Sequence, residues 1–256
     1  MTIMTEDAAM TQRTNGVFRV AYESEWATVY EGDARDVLPT FETESFDLIV
    51  TDPPYGKEFV SNQRVERFEA MALDGADDRE AVQDVLRECV RLVGQSRHLY
   101  VFGPEDVLEG LKITKPVSLI WDKTMMSGGD LSSAWGPSHE PIWFAISRHR
   151  HGGMAGGDAI PARRRKGSVL RVSRPTGRKV RHPSEKPVAL LTELIESSSR
   201  VGEMVLDPFA GSGSTAVAAI VRGRRALLIE SNRAYVDLAI ERIRAAECVA
   251  QEVDAA

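Results

Sequence analysis

Hydrophobic and polar positions along this chain follow two periods in alternation. Short, uninterrupted apolar runs stopped by turn-formers predict buried strands at 27–30 (ATVY), 46–50 (FDLIV), 98–103 (HLYVFG), 118–121 (SLIW), 141–147 (PIWFAIS), 204–206 (MVL) and 226–230 (ALLIE). Between them, apolar residues recur at helical spacing. Val82, Val85, Leu86, Cys89 and Val93 predict a helix capped by Asp78 and stopped by Gly94. A short helix is predicted after Pro104. Val188, Leu191, Leu194 and Ile195 mark another, and the small-residue run STAVAAIVR a further one. Tyr235, Leu238, Ile240 and Ile243 mark the last. Strands alternating with helices predict an α/β fold with a doubly wound, mostly parallel sheet. No internal repeat is visible.

Length and composition narrow the class. A chain of 256 residues with 43% hydrophobic residues suits one globular domain with a substantial core. No apolar run is long enough to span a bilayer, and residues 1–16 lack the basic-then-apolar order of a secretory signal. Those sixteen residues are polar and aperiodic, and are expected to be disordered. Cys89 and Cys248 stand apart, outside any Cys-x-x-Cys pattern, which predicts neither a disulfide framework nor a thiolate metal site. These features predict an intracellular protein without a membrane partner.

Charge changes the picture. The net value is −6, yet residues 148–181 hold eleven Arg and Lys against the single acid Asp158. That segment is therefore +10, and the remainder of the chain −16. An acidic body with one basic patch fits either a local polyanion contact or a solvated loop. Residues 57–77, polar and irregular, predict a second, mobile loop.

Two strand ends carry the candidate chemistry. After the 204–206 strand comes Asp207, then Phe209-Ala210-Gly211-Ser212-Gly213-Ser214-Thr215, opening a helix. Glycines there permit a tight turn and close backbone approach, and the helix start offers N–H groups to an anion. The following strand ends in Glu230, where an acid commonly accepts ribose hydroxyls. Neither a dinucleotide GxGxxG nor a Walker GK[ST] occurs. The turn resembles the cofactor turn of S-adenosylmethionine-dependent methyltransferases. By that resemblance Glu230 holds the ribose, residues 209–215 lie against the methionine part, and Asp33 faces the adenine amino group. Asp33 could equally be a turn acid after Gly32.

The second strand end is Asp52-Pro53-Pro54-Tyr55. Two prolines cannot donate to a ladder, so the strand must stop, while their carbonyls remain acceptors on a stiff turn. Such a corner can serve as a capped turn or as a chemical site. A planar aromatic amine is a poor nucleophile because its lone pair is delocalised. Acceptors on both N–H groups, from the Asp52 carboxylate and the Pro53 carbonyl, favour a pyramidal nitrogen that can attack a sulfonium methyl. Tyr55 can stack on the base. Catalysis here is positioning and electrostatics.

Taken together, GD (32–33), DPPY (52–55), Trp121-x-Lys123, His139-Glu140, HPSEKP (182–187) and FAGSGST (209–215) resemble the permuted, β-class amino-methyltransferases of DNA over residues 17–246. The resemblance implies a seven-stranded Rossmann-like methyltransferase sheet. It divides the chain into a catalytic half (17–149), a basic target-recognition insert (150–181), a cofactor half (182–246) and a tail (247–256). It implies a cofactor contact for Lys186, which could also be an ordinary first-turn residue. Trp121, His139 and Glu140 could equally be scaffold. DNA contacts are expected from Arg163, Arg164, Arg165, Lys166, Arg174, Arg178 and Lys179. The implied reaction is methylation of the adenine N6 of flipped-out double-stranded DNA, because a stacked base cannot reach Tyr55. Cytosine N4 is the alternative substrate, and a catalytically silent DNA-binding subunit is an alternative of another class. A homodimer, a cognate restriction endonuclease and a cytoplasmic location in a prokaryotic or phage-infected cell are compatible partners and setting.

Overall fold

The computed structural model describes residues 11–13, 16–54, 79–124, 135–136, 138–147, 166–174 and 185–254. Its ten strands are β1 (Thr11–Arg13), β2 (Gly16–Glu23), β3 (Ala27–Glu31), β4 (Phe46–Thr51), β5 (Val93–Phe102), β6 (Val117–Asp122), β7 (His139–Ile146), β8 (Val169–Arg171), β9 (Met204–Asp207) and β10 (Arg225–Glu230). They form one sheet in the order β1-β2-β3-β10-β9-β4-β5-β7-β6-β8. The seven from β3 to β6 make the expected core, parallel except for β7, which runs antiparallel to both neighbours. Three strands widen it beyond seven: the antiparallel β1–β2 pair at one edge and β8 at the other.

Five helices cover the faces: α1 (Ala34–Val37), α2 (Arg79–Leu92), α3 (Val188–Ser198), α4 (Ser214–Ile220) and α5 (Arg233–Asp254). One core holds Leu48, Leu191, Ile195, Val205, Ala216 and Leu228, and another on the opposite face holds Leu38, Ile49, Cys89, Leu99, Leu206 and Ile229. Adjacent residues of β4, β9 and β10 therefore point into different layers. This is why their runs are apolar throughout rather than alternating.

The structure departs from the pattern-based reading in five places. Thr11–Arg13, within the segment expected to be disordered, pairs with β2, because edge pairing uses backbone groups and needs no apolar period. Gly94 does not stop α2: the helix ends at Leu92 and Gly94 already belongs to β5. The short helix expected after Pro104 is a 3-10 helix over residues 105–108, not an α-helix. Part of the basic insert is sheet, since β8 runs parallel to β6 and buries Leu170. Finally, α5 continues past residue 246 through most of the expected tail, because Glu247 is buried and accepts Tyr22 Oη at 2.7 Å and Ser24 Oγ at 2.5 Å. The 57–77 loop and the cap at Asp78 lie outside the described residues. Among the described residues, no helix is long and apolar enough to cross a membrane, and no cluster of side chains could hold a metal.

Candidate active site

β4 and β9 are hydrogen-bonded neighbours, so their carboxyl ends lie side by side. In doubly wound sheets this edge is where ligands bind. β4 ends at Thr51, followed by Asp52 and the diproline, and β9 ends at Asp207, followed by the glycine turn. Asp52 and Lys186 line the same cleft as Asp207, Phe209, Gly211 and Ser214. The two motifs are 157 residues apart between Asp52 and Phe209 in sequence, and the fold brings them together.

Asp207 is the buried tie between these strand ends. Its Oδ1 accepts Thr51 Oγ1 at 2.9 Å and the Phe209 N–H at 3.2 Å, and its Oδ2 accepts Thr215 Oγ1 at 2.5 Å. Burial dominates these hydrogen bonds and, helped by the nearby Asp52 charge, pushes the carboxyl up to about 6. Asp207 thus shapes the turn rather than facing the cleft with a fully committed charge.

The turn itself is held from several sides. Gly211 and Gly213 adopt positive φ, 50° and 75°. The Gly211 N–H donates to Glu230 Oε2 at 2.8 Å, and the Asn232 N–H donates to Oε1 at 2.8 Å. Burial raises the Glu230 carboxyl against these bonds, and Glu230 stands beside the turn. Arg242 of α5 donates to Ser212 O at 2.8 Å, Ser212 Oγ at 2.6 Å and Ser214 Oγ at 3.0 Å. It also pairs with Glu185 at 2.9 Å. Sequence reasoning missed Arg242, whose single guanidinium couples the SEKP segment to the glycine turn.

Asp33 caps α1 by accepting the Arg35 N–H at 2.8 Å, and its Oδ2 also meets Arg35 Nη2 at 2.6 Å. The Arg35 hydrogen bonds and charge outweigh burial and lower its carboxyl. The turn-acid reading of Asp33 therefore describes its contacts here. Its neighbour Gly32 donates to Glu230 O at 3.0 Å, which keeps Asp33 at the same sheet edge.

Lys186, expected as a cofactor contact, lines the cleft with its ammonium turned to carboxylates. Its ammonium bonds Asp52 Oδ2, lies 3.4 Å from Glu140 Oε2 and sits 5.0 Å from the centre of the Phe102 ring. Glu140 in turn pairs through Oε1 with Lys123 at 2.6 Å. Burial opposes the charge on Lys186, but Asp52 and Glu140 together raise its pKa, while Lys186 and Lys123 lower that of Glu140 against its own burial. Glu140 was visible in sequence only as an uncommitted His-Glu pair. Trp121 is scaffold: it is buried and its indole N–H donates to Val172 O at 2.7 Å.

Of the expected DNA contacts, Lys166 pairs with Glu193 at 3.2 Å, and Arg171 in the same segment pairs with Asp122 at 3.2 Å. Arg174 is among the described residues. Tyr55, Arg163, Arg164, Arg165, Arg178 and Lys179 lie outside them.

Known proteins resemble the chain in sequence and in fold. The model of the N6/N4 DNA methylase family matches residues 46–241. The chain is 28% identical over 257 residues to the DNA adenine methyltransferase YhdJ of Escherichia coli (strain K12), covering 87% of this chain and 84% of that protein. It is 27% identical over 254 residues to the type II methyltransferase M.HinfI of Haemophilus influenzae, covering 85% and 68%. Among solved structures, TTHA0409 of Thermus thermophilus, a DNA modification methylase complexed with S-adenosyl-L-methionine, shares the fold with a TM-score of 0.60 at 24% identity over 85% of this chain and 94% of that one. The cytosine-N4-specific PvuII DNA methyltransferase shares it at 0.63 and 15% identity, over 91% and 94%.

Proposed function

The chain belongs to the N6/N4 DNA methylase family, and on that premise we propose that it methylates the exocyclic N6 of adenine in double-stranded DNA, with S-adenosylmethionine as donor. The observation that carries this reading is the shared cleft: the Asp52 corner and the 207–215 turn line one cavity rather than opposite sides of the molecule. YhdJ, an adenine methyltransferase by name, supports adenine over cytosine. An Asp at the first position of the diproline motif, which in this family usually accompanies adenine rather than cytosine, supports it too.

The cleft fits the donor. Glu230 supplies an acceptor for ribose hydroxyls beside Gly211, and Ser212 and Ser214 are drawn toward Arg242. When bound, S-adenosylmethionine supplies an electrophilic methyl group on a sulfonium. The protein's own part is to hold the acceptor. Asp52 and the Pro53 carbonyl take the two N–H bonds of the extrahelical amine and turn its lone pair toward the cleft. Tyr55 stacks on the base. Asp33 reaches the adenine end of the donor only if Arg35 releases its carboxylate. The basic residues of 163–179 grip phosphates. A homodimer and a cognate endonuclease are compatible with this activity, as is action on DNA in the cytoplasm.

Transfer of a tritiated methyl group to unmethylated DNA, followed by nucleoside analysis, tests the reading. N6-methyladenine is expected. N4-methylcytosine would move the substrate to the other base, and no incorporation at any salt concentration would overturn the reading.

A further inference from the structure

Four charged side chains form a string across the carboxyl edge of the sheet, its two lysines buried and its two acids partly exposed. Asp52 follows β4, Lys186 precedes α3, Glu140 lies at the start of β7 and Lys123 follows β6. Their signs alternate, and each contact is an ion pair. The side chains of Lys186 and Lys123 are only 10% and 6% exposed. A buried ammonium is stable only when its counter-charges are held in place, because desolvation disfavours the charged form. Glu140 is the member shared by both lysines, one on each carboxylate oxygen.

We propose that Glu140 is a positioning residue for methyl transfer, acting through Lys186 to set where the Asp52 carboxylate stands. This rests on the reading of Asp52 as acceptor for the target amine. Lys186 can lie between two carboxylates or collapse onto one. With Glu140 in place the ammonium is shared, and Asp52 keeps capacity to accept an N–H from the base. Without that charge, the whole ammonium falls to Asp52 and competes with the amine for the same group. β7 serves this arrangement by running antiparallel, because its amino end then delivers Glu140 to the edge where the parallel strands deliver their carboxyl ends. Lys123, braced by its N–H to Ser138 O at 2.9 Å and by the Trp121 ring at 5.5 Å, fixes Glu140 from behind.

A pH signature separates this role from a merely structural one. Among the described residues, the charged groups around Lys186 are Asp52, Glu140 with its partner Lys123, the adjacent Glu185 that pairs with Arg242, and Asp207 beyond Asp52. Asp52 and Glu140 raise the pKa of Lys186, so removing the Glu140 charge lowers it. The ammonium between the two carboxylates is also what holds Asp52 in place, so activity falls as Lys186 loses its proton, and without Glu140 this alkaline limb moves to lower pH.

The test compares wild type, Glu140→Gln and Glu140→Asp in three measurements. These are single-turnover methyl transfer against pH, S-adenosylmethionine affinity by calorimetry, and titration of Lys186 in the protein alone by lysine-selective NMR. Expected for Glu140→Gln are a rate reduced roughly tenfold at neutral pH, an alkaline limb and a Lys186 titration both moved to lower pH, and a cofactor affinity close to wild type. Glu140→Asp keeps the charge and should restore the limb; it also serves if the Gln variant does not fold. A superimposable pH profile, or a loss confined to cofactor affinity, overturns the proposal. If wild type methylates no DNA, the parent reading fails and the positioning role falls with it. The NMR titration still reports separately whether Glu140 and Lys186 are coupled.

Discussion

The backbone N–H of Gly211 donates to Glu230 Oε2 at 2.8 Å, so the acid proposed to hold the donor's ribose also braces the turn proposed to hold its methionine part. One substitution should therefore damage both. Glu230→Ala removes the hydroxyl acceptor and leaves the Gly211 and Asn232 N–H groups without their carboxylate. A hydrogen bond to a charged group contributes about 1.5–3 kcal/mol. S-adenosylmethionine affinity should fall roughly tenfold to a hundredfold by calorimetry, while DNA binding in the absence of cofactor stays unchanged. Wild-type affinity in the variant would place the ribose elsewhere.

Asp52 should separate binding from chemistry in the opposite sense. Its carboxylate meets Lys186 rather than the glycine turn, so Asp52→Ala leaves the donor's contacts in place. Removing one preorganised electrostatic group typically costs about 10²–10³ in rate. Methyl transfer should drop by at least that factor, with cofactor affinity within a few-fold of wild type. Comparable turnover would contradict the role given to Asp52.

Much of this site was legible in the sequence because its chemistry is local. Asp52-Pro53-Pro54 ends a strand wherever it occurs, and Gly211 and Gly213 mark a turn whose positive φ values the structure contains. The parallel core was legible because β4, β9 and β10 carry unbroken apolar runs at 48–50, 204–206 and 226–229 whose residues alternate between the two layers. What escaped is the pairing of residues remote in sequence. Lys186 and Asp52 are 134 residues apart, and Arg242 and Ser212 are 30 apart. No periodicity encodes either contact. A lysine before a helix and an arginine on an amphipathic helix look alike whether they face solvent or a buried acid. The edge strands β1 and β8 escaped for a related reason, since three residues paired through their backbones carry too short a pattern to read.

Gly213 offers a test of the turn's packing. It caps α4 at φ 75°, and a Cβ there would lie 2.8 Å from the Ala239 Cβ and 3.0 Å from its Cα. The obstacle is helix backbone, which cannot swing aside. Gly213→Ala combines left-handed strain of about 1–2 kcal/mol with overpacking of about 1–3 kcal/mol. Gly110, at φ 76° with open space around it, makes the control: Gly110→Ala should show the strain alone. Urea melts should rank Gly213→Ala well below Gly110→Ala, and equal midpoints would mean that α5 yields.

The basic insert is tested by salt. Replacing Arg163, Arg164 and Arg165 with Ala removes three phosphate candidates from a segment of net charge +10. The slope of log affinity against log salt should become shallower by about 2–3, with S-adenosylmethionine affinity untouched. An unchanged slope would move the DNA contact to another surface.

Asp207 predicts how stability depends on pH. Its folded carboxyl is raised to about 6 from 3.8, chiefly by burial, so the folded state binds its proton more tightly than the unfolded chain does. The sign follows by linkage: the contribution is fully present below about pH 4 and is lost as pH rises through about 6. Asn at this position mimics the neutral acid, since its oxygen can accept from Thr51 and the Phe209 N–H while its amide donates to the Thr215 hydroxyl. Asp207→Asn therefore removes the pH dependence without emptying the site. The stability of wild type relative to Asp207→Asn should fall by about 2 kcal/mol between pH 4.5 and 7.5, measured by urea unfolding at each pH. The opposite slope would mean that the three donors outweigh burial and that Asp207 is held as a full charge between the two strand ends. A constant difference would mean that folding leaves its proton affinity unchanged.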